Sequence, residues 1–220
     1  MIKETFETTH IEEITLNYLL ELPEDYDDES SEGFPLLLFL HGMGERGDNL
    51  EMLYVNGIPK LLREGARLPF ITLMPQCPDT SFWPDEYRSL KLLLDHITKT
   101  YNVDCRRIYI TGLSMGGYGT YEMLTRYPDL FTAGAPICGG IGSMKARMNL
   151  PVLKDIPLWI FHGEQDDVVP VEESRQIHDY LQSIGHENLK MTLYPDLNHD
   201  SWTRTYDNSE VYDFLLRFRK

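Results

Sequence analysis

Ser114 stands between two glycines in Gly112-Leu-Ser-Met-Gly116, after an apolar, largely β-branched run (Ile108, Tyr109, Ile110, Thr111) and before an amphipathic one. Gly-x-Ser-x-Gly between a strand and a helix makes a sharp turn that exposes the serine hydroxyl at the sheet rim. Residues two before and two after it must be small, because a Cβ at either place would strike the neighbouring strand or the incoming helix. Gly117 and Gly119 add room for the helix to lie close to the sheet. A serine hydroxyl is a weak nucleophile at neutral pH, so it needs a base, and the base needs a third group to orient it.

In folds with this turn the acid and then the base follow the serine along the chain, each just past a buried strand. The stretch Leu158-Trp-Ile-Phe-His-Gly-Glu164-Gln-Asp166-Asp167-Val-Val-Pro170 offers the acid. Asp166 and Asp167 compete there, with Glu164 further off, and adjacent side chains do not both face one partner. His199, in Leu193-Tyr-Pro-Asp-Leu-Asn-His199-Asp-Ser-Trp202, follows the last apolar run and is the candidate base. His178 lies in a helical pattern and His186 precedes that run, at the wrong end of the sheet. His10, His41, His96 and His162 come before the acid, and His41 and His162 each begin a His-Gly turn.

Acyl transfer also requires donors for a developing oxyanion. The backbone N–H of Met115, next to the serine, is one. Phe39-Leu-His41-Gly-Met43-Gly-Glu-Arg-Gly47 is a glycine-rich loop after an early strand, and the Met43 N–H is the expected second. Trp83, Tyr118 and Trp202 fall near motif ends and are candidates for lining a substrate pocket.

The elements that must hold these residues are legible as alternating runs. Residues 12–22 alternate like a half-buried edge strand. Continuous apolar runs at Pro35–Leu40, Phe70–Met74, Arg107–Thr111, Ala133–Ile137 and Leu158–Phe161 read as buried strands, and Leu189–Tyr194 reads as the last strand. Helical spacing appears around Leu50–Leu62 (broken by Gly57 and Pro59), Leu90–Ile97, Tyr121–Leu124, Ile177–Ile184 and Val211–Phe218. Strands alternating with helices predict an α/β fold, a mostly parallel central sheet covered by helices on both faces. Ligands bind beyond the carboxyl ends of such strands, where all the motifs above fall.

Taken together, His41-Gly-Met-Gly-Glu-Arg-Gly, Gly112-Leu-Ser-Met-Gly-Gly, His162-Gly-Glu-Gln-Asp-Asp-Val-Val-Pro and Tyr194-Pro-Asp-Leu-Asn-His-Asp-Ser-Trp resemble the α/β-hydrolase superfamily. The resemblance is to its compact carboxylesterase, phospholipase and thioesterase branch, with feruloyl-esterase and polyhydroxybutyrate-depolymerase-like members. It runs from about residue 34 to the C-terminus. It implies that the aspartate of Asp-x-x-Val-Pro, here Asp166, is the acid, and that the residue after His-Gly, here Met43, donates to the oxyanion. Gly139 to Pro157 is too short for a separate lid domain, so an open site is expected.

A chain of 220 residues fits one domain spanning 1–220. Its formal charge of −15, from 20 basic and 35 acidic residues, disfavours nucleic acid and anionic membrane surfaces as partners. Cys77, Cys105 and Cys138 form neither a disulfide framework nor a zinc motif. The N-terminus lacks the apolar core of a signal peptide, so the expected location is cytoplasmic. These features point to a cofactor-free serine carboxylic-ester hydrolase for short-chain or aromatic acyl esters, small or polymer-linked. Alternatives are a thioesterase or lysophospholipase with the same residues, a prolyl-oligopeptidase-type peptidase without its propeller, and a silent hydrolase-fold binding protein.

Overall fold

A computed structural model describes residue 5 and residues 13–220. Seven strands form one sheet: β1 (Tyr18–Glu21), β2 (Phe34–Leu40), β3 (Ile71–Pro75), β4 (Val103–Leu113), β5 (Ala133–Ile137), β6 (Leu158–Gly163) and β7 (Leu189–Tyr194). Their order is β1-β3-β2-β4-β5-β6-β7, and every pair is parallel except β1 with β3. The crossovers carry α1 (Gly57–Arg63), α2 (Tyr87–Thr100), α3 (Met115–Arg126), α4 (Met144–Asn149) and α5 (Glu172–Ser183), and α6 (Trp202–Tyr206) and α7 (Glu210–Leu216) close the chain.

Strand β2 shows why both faces must be covered. Its residues from Leu36 to Leu40 are all buried, and successive side chains point to opposite faces. Leu36, Leu38 and Leu40 pack with Leu90, Leu94, Tyr121 and Leu181 of α2, α3 and α5. Leu37 and Phe39 pack with Ile58, Val211 and Phe214 of α1 and α7 on the other side.

The edge strand is shorter than its alternation predicts. It spans only Tyr18–Glu21, extended by one further bond from the Gln76 amide to the Asn17 carbonyl at 2.7 Å, while residue 12, like His10, lies outside the described residues. Strand β4 begins earlier than its apolar run, because Val103, the buried Asp104 and the exposed Cys105 and Arg106 extend it. Between β5 and β6 the chain forms only α4 and a 3₁₀ turn over Leu150–Asp155, and no lid domain intervenes. Among the described residues no helix is long and apolar enough to cross a membrane.

Candidate active site

The turn from β4 into α3 holds Ser114 at φ 53 and ψ −116, a region where a residue with a Cβ is strained by about 1–3 kcal/mol. The flanking glycines make the turn sterically feasible. A Cβ on Gly112 would come to 2.3 Å of the Gly116 carbonyl oxygen, and one on Gly116 to 1.9 Å of that of Leu40. A Cβ on Gly119 would meet the Trp83 side chain at 2.5 Å.

Ser114, Asp166 and His199 leave the carboxyl ends of β4, β6 and β7 and meet. The Ser114 Oγ lies 2.9 Å from His199 Nε2, and His199 Nδ1 lies 2.7 Å from Asp166 Oδ2. In the tautomer whose Nδ1–H donates to Asp166, Nε2 is left to accept from the serine hydroxyl. Asp166 Oδ1 accepts from the backbone amides of Val168 at 2.9 Å and Val169 at 2.8 Å. Burial by itself would raise this carboxyl. The His199 hydrogen bond and the Val169 and Val168 amides outweigh it and hold Asp166 below the usual carboxylate range. Asp167 is exposed, and Glu164 is drawn off to Arg175 at 2.7 Å.

The two loops carrying Asp166 and His199 are zipped together. Glu164 N–H donates to the Tyr194 carbonyl at 2.9 Å and Gln165 N–H to that of Leu197 at 3.0 Å. Gly163 permits this approach, since a Cβ there would lie 2.2 Å from the Asn198 carbonyl oxygen.

Met115 is the first residue of α3 and Met43 the first of a 3₁₀ turn over Met43–Glu45. Amides at such positions lack an intrahelical acceptor. Both residues border, with Ser114, one open cavity of about 530 Å³ walled by Phe82, Tyr118 and Val168. Arg46 braces its Met43 side, donating to the Met43 carbonyl at 3.2 Å and the Ser81 carbonyl at 3.0 Å. Its guanidinium also lies 4.9 Å from the centre of the Phe82 ring.

Of the three aromatics expected at the pocket, Tyr118 lines the cavity. Trp202 instead stands edge-on to His199, with ring centres 5.3 Å apart. Trp83 must be corrected: it is fully buried, and its indole N–H donates to the His41 carbonyl at 2.9 Å. Its neighbour Phe82 takes the cavity position. His41 is likewise a brace, donating from Nδ1 to the Gly42 carbonyl at 2.6 Å and accepting at Nε2 from the Cys77 amide at 2.9 Å. His162 reaches Asp166 at 3.1 Å, a contact that its place in a His-Gly turn does not announce.

Among the described residues, Cys138, Asp166 and His199 bring one potential ligand atom each to within 4.8 Å of one another. The thiol would have to ionise to ligate a metal, and burial pushes it up to about 12. His199 Nδ1 is already committed to Asp166.

Comparison with known proteins adds independent findings. The family described as Phospholipase/Carboxylesterase matches residues 77–215. A bifunctional acetylxylan esterase/xylanase of Neocallimastix patriciarum is 29% identical over 156 residues, covering 68% of this chain. The chain spans only 21% of that relative's length. A putative esterase of Bacillus subtilis is 26% identical over 230 residues, covering 78% of this chain and 89% of its own. The crystal structure of a thermostable esterase superposes with a TM-score of 0.77 at 33% identity, covering 93% of this chain and 60% of that one.

Proposed function

The chain belongs to the phospholipase/carboxylesterase family of α/β-hydrolases, and from that premise we propose that it hydrolyses carboxylic esters through a serine acyl-enzyme. The observation that carries this reading is the run of two short contacts, Ser114 Oγ to His199 Nε2 at 2.9 Å and His199 Nδ1 to Asp166 Oδ2 at 2.7 Å. Ser114 Oγ attacks the ester carbonyl while its proton passes to His199 Nε2. The carbonyl oxygen takes up negative charge beside the Met43 and Met115 amides, each worth about 2.7–4 kcal/mol of transition-state stabilisation. Collapse of the tetrahedral intermediate breaks the bond to the alcohol, which leaves with the His199 proton. Water then attacks the acyl-enzyme, gives its proton to His199, and the serine recovers it as the acid departs.

The cavity supports a reading of substrate class. Met43, Phe82 and Val168 are exposed apolar groups around an opening that no lid domain covers. Such a site suits short or aromatic acyl groups, and its openness accepts an alcohol that is part of a polymer. A fluorophosphonate probe tests the chemistry: it should label Ser114 in the wild type. Ser114→Ala should lose labelling and, as nucleophile loss in such a triad costs on the order of 10⁶ in turnover, essentially all hydrolysis of a p-nitrophenyl butyrate ester. Ser114→Ala activity within tenfold of wild type would overturn the assignment.

A further inference from the structure

We propose that His162 is a positioning residue for the acid–base pair, a role that rests on the triad proposed above. Its Nε2 lies 3.1 Å from Asp166 Oδ2, the oxygen that also takes the His199 Nδ1 proton, and 2.9 Å from the Val169 carbonyl. Two acceptors at one ring nitrogen require that nitrogen to carry the hydrogen. The other nitrogen, Nδ1, lies 2.7 Å from Ser174 Oγ on α5, so the serine hydroxyl donates to it and fixes the tautomer. Both side chains are buried, His162 at 0% exposure and Ser174 at 1%. Burial lowers the imidazole's affinity for a second proton more than the Val169 carbonyl and Asp166 restore it, which keeps the ring neutral.

The consequence lies in how Asp166 is held. Its Oδ1 is pinned by the Val168 and Val169 amides, and its Oδ2 by His162. The carboxylate plane is thereby set by groups other than His199, and the catalytic imidazole meets an acceptor already facing it. A neutral donor suits this task. It orients the carboxylate without cancelling the negative charge that must stabilise an imidazolium at His199, as a lysine or arginine there would. His162 sits at the end of β6, locked in register opposite Leu193 of β7, so the donor is mounted on the sheet and not on the loop it steadies.

The test compares three variants with the wild type in steady-state ester hydrolysis, with circular dichroism as the check on folding and proton NMR on the His199 Nδ1 resonance. His162→Phe keeps a ring and removes all three hydrogen bonds. It should lower kcat by about 10–100-fold, as loss of a partner behind a functional histidine or carboxylate typically does, leave KM little changed and move the Nδ1 resonance. His162→Gln places an amide N–H₂ near the Nε2 position and should recover most of kcat. Ser174→Ala removes the donor that holds Nδ1, loosens the ring's orientation against Asp166 and should give a smaller loss in kcat alone. Wild-type kcat in folded His162→Phe would overturn the role, as would His162→Gln as impaired as His162→Phe. Should His162→Phe fail to fold, Ser174→Ala decides: wild-type kcat with an unmoved Nδ1 resonance would overturn the role. Fluorophosphonate labelling of the wild type at Ser114 separates the two failures, since the loss of this role leaves labelling intact and the loss of the triad reading does not.

Discussion

At Asp166 each carboxylate oxygen has its own partners, His199 and His162 on Oδ2 and two loop amides on Oδ1. Asn in its place keeps the shape and presents an N–H₂ or a weaker acceptor to His199, so the imidazole no longer holds its proton on Nδ1. Asp166→Asn should therefore cut kcat by a factor that can reach about 10⁴ with the fold intact. Asp167→Asn, on an exposed side chain one position on, should stay near wild type. Steady-state rates of the two variants check this, and the reverse order would transfer the acid to Asp167. Ser114 and His199 were legible as candidates in the chain because each combines a reactive side chain with a position just past a strand. His162 was not, since a buried histidine at a strand end looks the same whether its ring serves the backbone or a catalytic carboxylate. Trp83 was misleading for a related reason. Phe82 and Trp83 are neighbours, and only one of two adjacent rings can face the cavity while the other packs inward.

The element that most constrains the site is the β4–α3 turn. Its tightness is a matter of backbone against backbone: a Gly116 Cβ would fall 1.9 Å from the Leu40 carbonyl oxygen, and no rotamer change relieves that. Gly116→Ala should lower the unfolding free energy by about 3 kcal/mol or more, the upper end of ordinary overpacking. Gly44→Ala, where a Cβ would meet nothing within 4 Å, should change it little. Urea midpoints of the two variants make the comparison, and equal stabilities would mean that α3 can shift away from β2. Strands β2, β3, β5 and β6 and the second half of β4 are mostly apolar runs, β7 is interrupted by Lys190 and Thr192, and the longer helices α2 and α5 carry periodic leucines and isoleucines. Helices α4, of 6 residues, and α6, of 5, are too short for a 3.6-residue period to register. They form because of what they pack on and what caps them. Ser143 accepts from the Ala146 amide at 3.0 Å while donating to the buried Glu122 carboxylate of α3 at 2.6 Å.

Over the whole molecule, acid sensitivity should come first from buried histidines and only later from carboxylates. Burial lowers His41 to about 4, against the Gly42 carbonyl, which pulls the other way. Burial likewise lowers His162 and His186, opposed mainly by the Val169 and Ile156 carbonyls. A free histidine titrates near about 6.5, so below that pH the unfolded chain takes up protons that the folded chain refuses. Stability is thus fully present above about 6.5 and falls as pH drops toward the folded values. Each fully buried histidine contributes up to about 1.4 kcal/mol per pH unit, and the half-buried His186 less. Asp104 and Asp166 titrate below their ordinary range, so their contribution is retained until the pH passes below the usual carboxylate values. The formal charge of −15 works in the opposite direction, because protonation relieves repulsion in the compact state. That relief is carried by free carboxylates near about 4, leaving the interval from about 6.5 to 5 to the histidines. Urea unfolding across this interval should show stability falling with acidification in the wild type. His41→Gln, which can still accept from the Cys77 amide but does not titrate, should start less stable and fall less steeply. A His41→Gln slope equal to that of the wild type would mean that the brace beneath the Met43 loop takes no part in acid unfolding.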